Sequence, residues 1–152
     1  MTMTNTVFND ALGFIGGVMK YTIYPIGIVH RQGDDNWIEI FTPYQDAMLG
    51  LEGFSHAYVL YWFHENDTTE KRAILQVHPR KDLSKPLTGV FGTHSPVRPN
   101  LIGLTRCRIF AIEKSIIRIE EIDALDGSPV IDIKCFIPDK EPPDQIRLPG
   151  WV

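Results

Sequence analysis

A chain of 152 residues, 43% hydrophobic and 22% charged, is sized for one soluble domain around one core. Its longest apolar run, Ala57 to Phe63, is far too short to cross a bilayer as a helix. A net charge of −4 argues against a surface that grips nucleic acid all over, but leaves room for local basic patches at His78-Pro79-Arg80-Lys81 or among Arg98, Arg106 and Arg108. For the first group, solvated surface charge is the simpler reading.

Residues 1–18 carry an apolar patch, Ala11 to Val18, with no basic flank before it. That is not a secretory signal. It reads as a leader or N-terminal extension ahead of a domain over 19–152. Strand signals dominate from there. Tyr21 to His30 is rich in Ile, Tyr and Val, and Pro25 and Gly27 mark an edge or a bulge. Trp37 to Phe41 alternates apolar and polar residues. Pro43 to Leu51 suits a helical turn with Thr42 as its cap. Ala57 to Phe63 is a continuous apolar and aromatic run, the pattern of a strand covered on both faces.

Arg106 to Glu113 alternates, with Cys107, Ile109 and Ala111 on one face. Ser115 to Ile122 reads as a half-buried strand. Asp126-Gly127 has hairpin turn chemistry, and Val130 to Ile137 reads as the return strand, with Ile131, Ile133, Cys135 and Ile137 on one face. The tail from Pro138 to Val152 is rich in proline and charge and is expected to be extended. Short strands separated by turns predict a mainly-β fold: a small single-domain β-barrel with short helical turns. The two cysteines, Cys107 and Cys135, form no C-x-x-C pair and sit in strand-like stretches, as reduced thiols of a cytoplasmic protein do. There is no G-x-G-x-x-G, no P-loop and no G-x-S-x-G, so a dinucleotide fold, a nucleotide-triphosphate loop and a hydrolase elbow are unsupported.

The segment that carries chemistry is Gly89 to Thr105, GVFGTHSPVRPNLIGLT. Pro96 and Pro99 stiffen a loop that presents Thr93, His94, Ser95, Arg98 and Asn100. On physical grounds a pre-organised polar site and a plain rigid turn are equally good readings. The loop resembles the signature of the TrmO family, VFATRSPxRPNPIG. Gly50 to His64 (GLEGFSHAYVLYWFH) is similar to the family's G-L-E-x-F-S-H segment, Asp123 to Pro138 to its D-x-x-D-G-T-P-V-x-D-I-K-P-Y segment, and Pro25 to His30 to its opening strand.

The resemblance implies a β-barrel that binds S-adenosylmethionine, works as a homodimer and methylates N6 of threonylcarbamoyladenosine beside the tRNA anticodon. By position, the family's cofactor contacts fall on His64, Glu65, His94, Leu104 and around Ile122 and Asp123. The chemistry of the ligand adds Phe91, which with Leu104 can flank adenine, and Thr93 on the signature loop. Arg98, Asn100 and Asp126 are the candidate acceptor contacts, Asp126 being also a possible base. The family's signature Arg is His94 here, its Pro after R-P-N is Leu101, the loop Arg31 to Asn36 is short, and the family's tRNA enzyme has a C-terminal domain beyond the point where this chain ends.

Two rival functions sit on the same barrel: a small-molecule methyltransferase, and a non-catalytic module that senses S-adenosylmethionine. A metal enzyme is disfavoured. His56 and His64 flank one predicted strand and would lie roughly 25 Å apart if it is straight.

Overall fold

The computed structural model describes residues 21–138 and 147–152. The expected leader and most of the extended tail fall outside the described residues.

The described residues form eight strands: β1 (Gly27–Gln32), β2 (Asp35–Ile40), β3 (His56–Trp62), β4 (Gln76–Val77), β5 (Thr88–Gly89), β6 (Ile102–Glu113), β7 (Ile116–Ile119) and β8 (Pro129–Cys135). Six of them close an antiparallel barrel in the order β1-β2-β7-β6-β3-β8, while β4 and β5 make a separate two-stranded piece. Closure removes the free edges on which other chains could pair. The core is the barrel interior, filled by Val29, Ile38, Val59, Tyr61, Cys107, Ile117, Ile119 and Val130.

Local chemistry explains the tight connections. Gln32 pairs with Asp35, so β1 and β2 are joined by two residues. Gly33 takes the positive φ (61°) that such a hairpin demands at its first turn position. Glu113 pairs with Ile116, and Lys114 adopts φ 55° in the equivalent place.

Several boundaries differ from the sequence expectations. The first strand starts at Gly27 rather than Tyr21 and runs on to Gln32. Thr42 is not a cap: it is the first residue of a 3₁₀ turn, Thr42–Met48, whose N-cap is Phe41. β3 is buried fully on its inner face and partly on its outer one, where Trp62 is fully covered beneath Arg72. Ala57, Val59 and Tyr61 point into the barrel, while His56, Tyr58 and Leu60 are half-buried outside. A closed barrel fills only its interior, so the aromatic run on β3 reflects partial cover by Phe136, whose ring meets Tyr58 edge-on at 5.5 Å.

β6 begins at Ile102, inside what reads as loop. A register shift between Ile109 and Ala111 then turns the strand, so that Ile112, not Ala111, packs on the core beside Ile109. A second shift, opposite Leu60 and Tyr61, brings Val130 to the core with Ile133 and leaves Ile131 off that face; Ile137 is exposed beyond the strand end. Finally, Asp126-Gly127 is no hairpin. β7 pairs with β2 and β6, and β8 pairs with β1 and β3, so the chain crosses the barrel end between them.

Candidate functional site

A cleft of about 750 Å³ opens at one end of the barrel. Three segments build its wall. The end of β3 and the turn after it give Tyr61, Phe63, His64, Glu65 and Asn66. The signature loop and the start of β6 give Phe91, Thr93, His94, Arg98, Asn100 and Leu104. The crossing between β7 and β8 gives Asp123, Leu125 and Ser128.

Of the candidate cofactor and acceptor contacts, all but Ile122 and Asp126 line this one cleft, while Ser95 of the signature loop lies off it. Ile122 is 1% exposed and its side chain belongs to the core. Asp126 lies off the wall, and its Oδ1 accepts a 2.8 Å hydrogen bond from the Arg31 amide. With Gly127 N–H on the Val29 carbonyl and Val29 N–H on the Ser128 carbonyl, that bond ties the crossing to β1. The turn signal at Asp126 is thus satisfied structurally.

The signature loop is held from both sides. Thr93 Oγ1 donates to the Val90 carbonyl and accepts from the Ser95 amide. Arg98 Nη1 reaches the Thr93 carbonyl at 3.4 Å. Beneath the loop, Arg72 from the short helix α1 (Thr69–Arg72) is buried. It donates to the Pro99 carbonyl at 2.9 Å, pairs with Asp67 at 2.7 Å, and lies over the Trp62 ring at 5.2 Å. Trp62 Nε1–H donates to the other oxygen of Asp67. The network joins β3, the turn and the loop, and fixes the second proline of the signature.

Tyr61 forms the floor. Gly103, opposite it on β6, is buried, and a Cβ there would overlap the Tyr61 ring. The phenol hydroxyl is 3.2 Å from Thr105 Oγ1. Burial pushes its pKa above the ordinary value, the Thr105 hydrogen bond opposes this, and the Asp123 carboxylate raises it further. His64 Nδ1 sits 3.3 Å from the buried Ser128 hydroxyl, linking two of the three wall segments. Glu65 and Asp123 are the two carboxylates on the wall, and Phe91 and Leu104 its exposed apolar groups at the mouth, with Leu125 beside them. Nothing in the sequence distinguishes Tyr61, Phe63 and Ser128, which also line the cleft, from core and turn residues. Among the described residues, no group of three or more His, Cys, Asp or Glu gathers as a metal site would need.

Residues 22–141 match the family described as tRNA-methyltransferase O N-terminal domain. A probable S-adenosyl-L-methionine-binding protein of Methanocaldococcus jannaschii is 45% identical over 116 residues, 76% of this chain and 92% of that protein. The human tRNA (adenine(37)-N6)-methyltransferase is 40% identical over 110 residues, 72% of this chain and 24% of that enzyme. The crystal structure of TrmO from Pseudomonas aeruginosa superposes with a TM-score of 0.63 at 29% identity, covering 85% of this chain. The chain spans 61% of the length of that crystallised protein.

Proposed function

The chain belongs to the tRNA-methyltransferase O N-terminal-domain family, and from that membership we propose that its cleft binds S-adenosylmethionine and delivers the methyl group to N6 of an adenine in transfer RNA. The observation that carries this reading is convergence: His64, Glu65, Phe91, His94 and Asp123 come from three distant segments and meet on one cleft.

The donor set fits the cofactor. Adenine needs an apolar slot, the ribose needs acceptors, and a sulfonium is best met by carbonyls, carboxylates or aromatic faces. Phe91 and Leu104 supply the slot, and Glu65 and Asp123 supply the carboxylates. When bound, the cofactor supplies an electrophilic methyl carbon. The protein's share is alignment in a straight line with the acceptor nitrogen, which a loop pinned by Arg72 and two prolines suits. Arg98 and Asn100 present donors to the acceptor. Glu65, Asp123 and the imidazoles of His64 and His94 are the wall groups able to take the proton that the nitrogen releases.

We also read the molecule as a homodimer in a reducing compartment. The dimer is what the chain's likeness to the TrmO family implies. Cys107 and Cys135 are free thiols, and among the described residues no helix is long and apolar enough to cross a membrane. A monomer by light scattering at micromolar concentration would refute the dimer.

The test is calorimetric titration with S-adenosylmethionine and S-adenosylhomocysteine, followed by transfer of labelled methyl to bulk tRNA and to a metabolite panel. Binding that weakens about tenfold in His94→Ala, the loss of roughly one charge-assisted hydrogen bond, with label in tRNA, is the expected result. Label in metabolites alone would move the acceptor to small molecules. Binding without transfer would leave a sensor, and no binding would end the reading.

A further inference from the structure

We propose that the outward face of β6 is a docking track for the sugar–phosphate backbone of the RNA acceptor, leading from Phe110 through Arg108 and Arg106 to the cleft; this rests on the RNA reading of the acceptor above. The strand alternation makes the track. Ile102, Leu104, Arg106, Arg108 and Phe110 are all exposed, whereas Gly103 and Cys107 between them are buried. Ile102 and Leu104 line the cleft. Arg106 and Arg108 therefore continue the same strand face away from its mouth, with Leu104 and Arg108 about 13 Å apart along the strand.

The charge on this face is available. Among the described residues no carboxylate pairs with Arg106 or Arg108, and no hydrogen bond engages either side chain. Several other basic groups are occupied, Arg72 by Asp67, Lys134 by Asp132, and Arg31 by the Ala124 carbonyl and Asn36, while the exposed Arg118 on β7, opposite Ala111, adds a further uncompensated charge beside the Phe110 end of the track. The guanidiniums of Arg106 and Arg108 lie over aromatic rings, Arg106 over Phe136 at 5.0 Å and Arg108 over Phe110 at 5.6 Å. Rings hold the forks without neutralising them, so both stay ready for phosphate oxygens. On a chain of net charge −4, two adjacent uncompensated arginines on one strand face are a local exception. Phe110, 59% exposed at the far end, offers a face on which a base can stack. An acidic chain that must hold a polyanion needs such a confined basic strip.

The experiment is fluorescence anisotropy of unmodified tRNA with the full chain, across a salt series, for the wild type and for Arg106→Glu/Arg108→Glu and Arg106→Lys/Arg108→Lys. The expected result for the glutamate pair is at least a tenfold loss of RNA affinity and a log–log salt slope shallower by about two, one for each phosphate contact. The lysine pair keeps the slope. Titration with S-adenosylmethionine stays at the wild-type value in both, because neither arginine lines the cleft. If the glutamate pair does not fold by circular dichroism, Arg106→Gln/Arg108→Gln gives the same readout, and Phe110→Ala lowers RNA affinity with the salt slope unchanged.

Unchanged RNA affinity in a folded variant overturns the track, as does a wild type that does not bind RNA. So does a loss of affinity that merely follows dissociation of a dimer by light scattering, which would assign the face to a second copy. The two readings fail separately. RNA binding through these arginines without methyl transfer removes the acceptor assignment and keeps the track. Transfer to tRNA with an unaltered KM in the glutamate pair does the reverse.

Discussion

Gly103 is where β6 meets the floor of the cleft, and it has no room for a side chain. A methyl group there would overlap the Tyr61 ring, which is 2% exposed and bonded to Thr105. Gly103→Ala must displace that ring, and overpacking of this kind costs about 1–3 kcal/mol. The urea midpoint should fall accordingly, and cofactor affinity should fall with it, since Tyr61 and Gly103 both line the cleft. A variant with the wild-type midpoint would show that the ring swings aside freely. Cys107, two residues on from Thr105, makes a different prediction. Burial, with the Asp123 carboxylate adding to it, pushes its thiol up to about 12. In the unfolded chain a thiol ionises near its ordinary value of about 8.5. The folded state thus keeps a proton that the unfolded state loses, and by linkage stability is intact at lower pH and declines as pH rises from there towards 12. Tyr61, also raised, adds to the decline from its own ordinary value upward. Urea midpoints between pH 8 and pH 10.5 should slope downward, less steeply in Cys107→Ala. An equal slope in both would assign the loss to other groups.

Among the elements, the shortest does the most for the site. Helix α1 has four residues, too few to be stable alone. Thr68 caps it by accepting from the Lys71 amide, and Arg72 anchors it by its ties to Asp67, Trp62 and the Pro99 carbonyl. Arg72→Ala strips the Pro99 carbonyl and Asp67 of their shared partner. Because Asp67 keeps the Trp62 hydrogen bond and some solvent contact, the cost should be about 2 kcal/mol, below that of a fully buried broken pair. Cofactor affinity should drop as the loop loosens, and Arg72→Lys should restore only part of it, since an ammonium cannot span two acceptors as a planar fork does. Full rescue by lysine would reduce the network to a point charge. None of this network is visible in the sequence, because Asp67, Arg72 and Trp62 share no motif spacing. The barrel strands were visible, since alternation reports burial directly: Val29, Ile38 and Val59 are all in the core. Their order was not. Asp126-Gly127 announces a turn, but turn chemistry is local and does not say which strands flank it; the crossing from β7 to β8 is decided by the barrel's closure through β1. Bulges hide for a similar reason: one extra residue at Ile109/Ala111 flips the later faces without altering composition. The candidate site is legible through its ordered motifs, since the signature loop and its partner segments line one cleft, whereas Ser128, a polar residue in a turn, carries no signal of its own. Leu101, where the family has proline, is fully buried and its carbonyl accepts from Phe63, so the departure at this position adds core surface.

At the scale of the whole molecule, the cleft is stitched from segments that the chain brings together only on closing the barrel. β3 lies between β6 and β8, so the signature loop before β6, the turn after β3 and the crossing before β8 all arrive at the same end. Between the crossing and the turn, the wall is joined by one side-chain bond, His64 to Ser128. A ligand seated in the cleft would bridge all three segments and would bind the folded chain alone, because the unfolded chain holds no such wall. Its binding energy is then folding energy. At a cofactor concentration one hundred times its dissociation constant, the folded state gains about 2.7 kcal/mol. For a chain of this length each kcal/mol raises Tm by roughly 2–4 °C, so S-adenosylmethionine should raise the melting midpoint by about 5–10 °C, in proportion to the logarithm of its concentration. S-adenosylhomocysteine should do the same, since the adenosine and amino-acid ends make the contacts. Adenosine or methionine alone should give much less, because each bridges fewer segments of the wall. A shift from adenosine equal to that from the whole cofactor would mean that one wall holds the ligand, and that the three-segment convergence does not determine affinity.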